Sequence, residues 1–235
     1  MLRLTGCVFA LSLAVPHAYN YAGSIQPLAW HSISQRDLWM VMEGELDPDQ
    51  VQPTLSNHCT VWAYVTPANP TRTHWITAAH CVLDSNGDYM NLDYQIAGHE
   101  LAVEDWNVKN DIASLSGDLS ARGLTLATNE PAVYDPEANS KDSEVVVRGY
   151  PFGYKSLFTT HGSMSLLHWH DEEDPAGVFY NVYQVPIASG SSGSPVFDSH
   201  NKVIGVLQIG WGDSFSSMAG GSSLGNLRAF LANLP

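Results

Sequence analysis

Apolar residues along the chain fall in short runs broken by turn residues, a rhythm that predicts strands over most of its length. Thr60–Val65, Thr73–Thr77, Asp93–Ala97 and Ile112–Leu115 form a first group of strand candidates. Glu144–Arg148, Leu157–His161, Val178–Gln184 and Val203–Ile209 form a second. Val145-Val146-Val147 and Val203-Ile204 are β-branched runs that suit a sheet interior. Asp84-Ser85-Asn86-Gly87-Asp88 is a turn cluster, and Gly149-Tyr150-Pro151 stops a strand sharply. The polar stretch Asn129–Asp142, interrupted by Pro131 and Pro136, reads as a connector between two halves. Helical spacing emerges only near the end, where Leu224, Leu227, Phe230 and Leu231 share one face of a segment Leu224–Ala232. Ser222 or Ser223 would cap it. From Tyr19 to Asn57 the pattern is mixed and specifies no element, with Pro27, Pro48 and Pro53 as punctuation.

The first residues follow a different logic. Met1-Leu2-Arg3 is a short positive start, and Leu4 to Val15 carries no charge. With Pro16-His17-Ala18 as its end, residues 1–18 read as a secretory signal peptide, too short to span a bilayer. Ala14 and Ala22 are alternative cleavage points. Leu4-Thr5-Gly6-Cys7 looks like a lipoprotein box, but the apolar region follows the cysteine instead of preceding it. Of the three cysteines, Cys7 leaves with the signal, and Cys59 and Cys81 remain. Export to the secreted or periplasmic space is the expectation. The 235 residues can bury one substantial core or two small barrels packed together. A net charge of −14 argues against nucleic acid and against an anionic membrane surface as partners.

Three separated segments then change the picture. Thr77-Ala78-Ala79-His80-Cys81, Asn110-Asp111-Ile112-Ala113-Ser114-Leu115 and Gly190-Ser191-Ser192-Gly193-Ser194-Pro195 present a histidine, an aspartate and a serine, each in its own setting. A serine hydroxyl is a poor nucleophile near neutral pH and needs a base. Histidine titrates in the working range, and a carboxylate on its other nitrogen fixes the tautomer. His80 follows the end of a buried strand and two small residues that permit a tight turn. Asp111 is preferred over Asp84, Asp88, Asp93 and Asp105 because Ile112, Ala113 and Leu115 lead it into an apolar strand. A carboxylate there needs a specific partner.

Together these segments resemble the chymotrypsin-like (trypsin-fold) serine proteases, over about Cys59 to the C-terminus. The resemblance implies an all-β fold of two packed antiparallel β-barrels with a short C-terminal helix. It places a first barrel at about 58–128, a connector at about 129–142, a second barrel at about 143–222 and the helix at about 223–233, all within a protease domain of residues 19–235. The family register makes Ser192 the nucleophile, with His80 as base and Asp111 behind it, and puts the oxyanion donors on the N–H groups of Gly190 and Ser192. It implies a Cys59–Cys81 disulfide; two independent buried thiols are the rival reading. The substrate pocket falls on Ile187, Ala188, Ser189, Gln208, Ile209 and Gly210. These include no aspartate to recruit arginine or lysine, which favours a neutral or apolar residue before the cut.

The chain departs from digestive trypsins where Ser191 replaces the aspartate that pairs with a newly cut N-terminus. Gly193-Ser194-Pro195-Val196-Phe197 and Val203-Ile204-Gly205-Val206 look closer to the bacterial glutamyl endopeptidases and HtrA proteases. A PDZ domain is not expected. The expected enzyme is a monomeric serine endopeptidase acting on protein or peptide through an acyl-enzyme, with no cofactor and no metal. His168 and His170 beside Asp171-Glu172-Glu173-Asp174, and Asp84 with Asp88, are the metal candidates, read here as a hydrated acidic loop and an ordinary turn. A catalytically silent binding relative is the alternative, disfavoured by three intact site residues. An α/β-hydrolase is excluded by the order of the three, since its nucleophile comes first and its histidine last.

Overall fold

A computed structural model of the chain describes residues 26–27, 38–44, 57–84, 86–90, 93–96, 99–137, 141–154, 156–170, 179–211 and 215–235. The signal segment, Asp171–Asp174 and the alternative cleavage points lie outside the described residues. Among the described residues, thirteen strands and one α-helix account for the architecture. The first six-stranded unit is a closed barrel made of β2 (Leu38–Gly44), β3 (Asn57–Val65), β4 (Thr73–Thr77), β5 (Asp93–Ile96), β6 (His99–Asn107) and β7 (Ile112–Ser116). Its strands run in the order β2-β3-β4-β7-β6-β5, and β2 pairs with both β3 and β5 to close it.

The second unit contains β1 (Gln26–Pro27), β8 (Glu144–Gly149), β9 (Phe158–His170), β10 (Phe179–Ala188), β11 (Pro195–Asp198), β12 (Val203–Gly210) and β13 (Phe215–Gly221). Their order is β1-β9-β10-β13-β12-β11-β8, and β8 also pairs with β9, so the pairings of six strands run round a ring. The fold is thus all-β with two barrel-like sheets and a single described helix, α1 (Leu224–Leu231), as the resemblance implied.

Alternation explains why the most apolar strands are buried on both faces. In β4 and β7, Trp75, Ala113 and Leu115 point into the first barrel with Val61, Ala63 and Tyr94. Their neighbours Ile76 and Ile112 join Trp62 on the outer face, packed against Val146, Phe197, Val203 and Val206 of the second unit and against Phe230 and Leu231 of α1. The Val145-Val146-Val147 run divides the same way: Val145 and Val147 enter the second interior, while Val146 lies in the contact between the two units. The hydrophobic cluster of that contact fixes the relative placement of elements that carry the site.

Helix α1 starts at Ser223, whose side chain accepts the Asn226 N–H at 3.1 Å. Glu130, from the connector, accepts the Leu224 N–H at 2.7 Å, placing a carboxylate at the positive end of the helix. Leu224, Leu227, Phe230 and Leu231 are the buried face, as their spacing predicts. Six strands depart from the pattern. β1 and β2 lie where no element was expected; β6, β11 and β13 were not anticipated; and β9 extends well past His161.

Candidate active site

His80 sits in a single 3-10 turn, Ala79–Cys81, directly after β4. Ala78 and Ala79 are buried in this turn. Cys81 is joined to Cys59 of β3, so the turn is covalently held to a neighbouring strand. Asp111 ends the tight turn between β6 and β7 with φ of 45°, in the left-handed region that aspartate tolerates better than most residues. Its carboxylate grips His80 at two points. Oδ1 accepts the His80 backbone N–H at 2.7 Å, and Oδ2 lies 2.7 Å from Nδ1. With an ionised carboxylate at Nδ1, the ring carries its proton there and presents Nε2 as the acceptor. The side chains are 47% and 20% exposed, so the base is open to solvent and its orienting partner is sheltered.

The strained backbone at Asp111 has its own support. The Gln208 amide of β12 donates to the carbonyl oxygens of Asn110 and Asp111, the latter at 3.1 Å. Gln208 therefore connects the second unit to the turn that carries the carboxylate.

The third segment forms a compact loop ahead of β11. Gly190 and Gly193 have φ of 90° and 82°, and both are also sterically required. A Cβ on Gly190 would lie 2.7 Å from the Tyr150 carbonyl, and one on Gly193 would lie 2.1 Å from the Thr60 carbonyl and 3.1 Å from the Ala78 nitrogen. The loop is thus pressed against the residues leading to His80. Of its three serines, Ser191 is 6% exposed with its hydroxyl turned to the Ala188 N–H, and Ser194 is 0% exposed. Ser192 is the one with accessible surface, and it helps line a cavity of about 340 Å³.

Successive peptides of the loop are pinned. The Phe152 N–H donates to the Ser189 carbonyl at 2.5 Å, the Ser194 N–H to the Ser191 carbonyl at 3.0 Å, and the Gly193 N–H to the Leu207 carbonyl at 2.8 Å. The first two bonds occupy the carbonyls of the very peptides whose N–H groups belong to Gly190 and Ser192. Since carbonyl and N–H point oppositely in a trans peptide, those two N–H groups point away from the Phe152 and Ser194 donors. Among the described residues neither has an acceptor.

Ile187, Ala188, Ser189, Gln208, Ile209 and Gly210 all line the cavity beside Ser192, joined by Leu207 and Ser216. No lining side chain is charged. A Cβ on Gly210 would lie 2.6 Å from Cδ1 of Ile187, so the isoleucine fills the space a side chain there would take. Ser216 was not anticipated, because it stands on β13 and reaches the cavity through its pairing with Ile187. Cys59, His80 and Cys81 approach closely enough to share a metal, but both sulfurs are joined in the disulfide. Asp84 accepts the backbone N–H groups of Asp88 and Asn86, which hold its carboxyl below the usual range. His168 has φ of 51°, so the strand alternation that would align it with His170 is interrupted.

Two barrel-like β units carrying a histidine–aspartate pair on one and a glycine-flanked serine on the other define the class of trypsin-like serine peptidases. The chain belongs to that family: the trypsin-like peptidase domain model matches residues 64–206, a span that includes all three residues, and the protein is a serine endopeptidase. Solved structures share the fold. The Rv3671c protease from M. tuberculosis in its active form is 21% identical with a TM-score of 0.60, covering 85% of this chain and 81% of its own. The HtrA-type protease AlgW with a tripeptide gives 0.63 at 12% identity, over 84% of this chain and 59% of that one. The serine endoprotease from Yersinia pestis gives 0.60 at 11% identity, over 84% and 63%. No curated protein sequence matches the chain.

Proposed function

We propose that the protein is an exported endopeptidase in which Ser192 is the nucleophile, His80 the general base and Asp111 the group that orients it. The two-point grip of Asp111 on His80 carries this reading, because it holds the Nδ1 side of the ring on the carboxylate and so makes Nε2 the proton-accepting nitrogen. Ser192 Oγ attacks the scissile carbonyl carbon as its proton passes to His80 Nε2. The carbonyl oxygen becomes negative and is received by the N–H groups of Gly190 and Ser192. Collapse breaks the C–N bond, His80 returns the proton to the leaving amine, and the acyl group stays on Ser192 as an ester. Water then repeats the sequence, with His80 again as base.

The uncharged cavity, narrowed by Ile187, takes a neutral or apolar side chain before the cut. The disulfide and the apolar N-terminal segment support export, since such bonds persist in oxidising compartments. No described helix is long and apolar enough to cross a membrane.

The test is incubation with a peptide library and mass mapping of the cuts, paired with organophosphate labelling. Cuts should follow uncharged residues, and the label should sit on Ser192. Ser192→Ala should lower turnover by several orders of magnitude, while Ser191→Ala and Ser194→Ala stay active. A label on Ser194, or no cleavage and no label at all, would sink the reading; the latter outcome is what a silent binding relative would give.

A further inference from the structure

Thr60, in β3, is 0% exposed and follows Cys59 of the disulfide. Four hydrogen bonds converge on it. Its backbone N–H donates to the Ser192 carbonyl at 2.8 Å, and its own carbonyl accepts from Thr77 Oγ1 at 2.9 Å. Its hydroxyl accepts the Tyr150 N–H at 2.9 Å and donates to the Gly190 carbonyl at 3.1 Å. A hydroxyl has one proton, and a carbonyl offers none, so these roles are determined.

The two partners of that hydroxyl belong to the two segments that set the direction of the Gly190 N–H. Tyr150 begins the turn whose Phe152 N–H holds the Ser189 carbonyl, and Gly190 carries the next peptide along. We propose that Thr60 is a positioning residue of the oxyanion hole: its hydroxyl locks the turn at Tyr150–Phe152 to the Gly190 peptide. In doing so it sets the oxyanion donors in place from the barrel that carries His80. This rests on the reading of Gly190 and Ser192 as those donors. Ser191 has no charge with which to anchor the loop, and the hydroxyl of Thr60 supplies a neutral anchor from the other unit.

Thr60 does not line the cavity beside Ser192, so its loss should leave ground-state binding alone. Thr60→Val keeps the shape but removes the hydroxyl that accepts from the buried Tyr150 N–H and donates to the part-buried Gly190 carbonyl. The experiment compares Thr60→Val, Thr60→Ser and Ser192→Ala on the best-cleaved library peptide, well below each melting transition. Thr60→Val should lower kcat on the order of 10–100-fold, less than outright loss of an oxyanion donor, with KM changed by less than about threefold. It should weaken inhibition by a matching peptide boronic acid, whose tetrahedral adduct uses the same donors, by a similar factor. Thr60→Ser restores both, because it returns the hydroxyl. Should Thr60→Val not fold, Thr60→Ala, which cannot overpack, carries the same expectation. The proposal is overturned if the folded variant keeps kcat within about twofold, if KM alone moves, or if Thr60→Ser is as impaired as Thr60→Val. Full activity of Ser192→Ala would instead remove the underlying reading, and this proposal with it.

Discussion

Asp111 combines a backbone few residues accept with a carboxylate used on both oxygens. Asparagine tolerates the same left-handed conformation, so Asp111→Asn should keep the fold. Its amide, however, can accept from only one of the two His80 donors. With the oxygen taken by the backbone N–H, the NH₂ faces Nδ1 and drives the ring proton to Nε2, where it blocks proton transfer from Ser192. A loss of roughly 10⁴-fold in kcat, as a wrong tautomer produces, should accompany an unchanged melting temperature; a variant retaining a tenth of wild-type kcat would contradict the assigned tautomer. The three residues proposed for this site could be picked out as candidates because each stands in a distinctive local segment. Thr60 and Gln208 were not assigned their bonding roles, because these arise from partners about a hundred residues away, which no local pattern records.

At the scale of elements, the strands read correctly are those with strong internal apolarity: β4, buried at every position, β7 and β8. β6 escaped because its charged and half-exposed residues blur the alternation, with only Leu101 buried. β13 is rich in serine and glycine and carries little β-propensity signal, whereas β11 offers only Val196-Phe197 after a proline, too short a run to read as a strand. Helix α1 was legible through both its spacing and its cap. The Cys59–Cys81 bridge ties β3 to the His80 turn across a sequence separation of 22. On the loop-entropy model it stabilises the fold by about 3 kcal/mol, so Cys59→Ala/Cys81→Ala should melt roughly 6–12 °C lower. A decrease below about 2 °C would mean that packing alone holds this turn.

For the molecule as a whole, two buried phenols set an alkaline limit. Burial pushes Tyr150 up to about 12, and burial together with the charge of Glu130 raises Tyr183 above its ordinary value of 10. The folded state therefore keeps protons that the unfolded chain releases near pH 10. Stability is fully present below that pH and falls as pH rises from about 10 toward 12. The urea midpoint should drop across this window, and Tyr150→Phe should soften the drop; a constant midpoint would show that neither phenol stays protonated by the fold. The closure of the first barrel by β2 carries a consequence of another kind. β2 covers edges of both β3 and β5, and a chain severed between Gly44 and Asn57 that lost this strand would bare two rows of unpaired peptide groups, an invitation to aggregation. N-terminal trimming that keeps the first barrel closed has to stop ahead of Leu38, which makes this strand the inner boundary of what can be removed from that end.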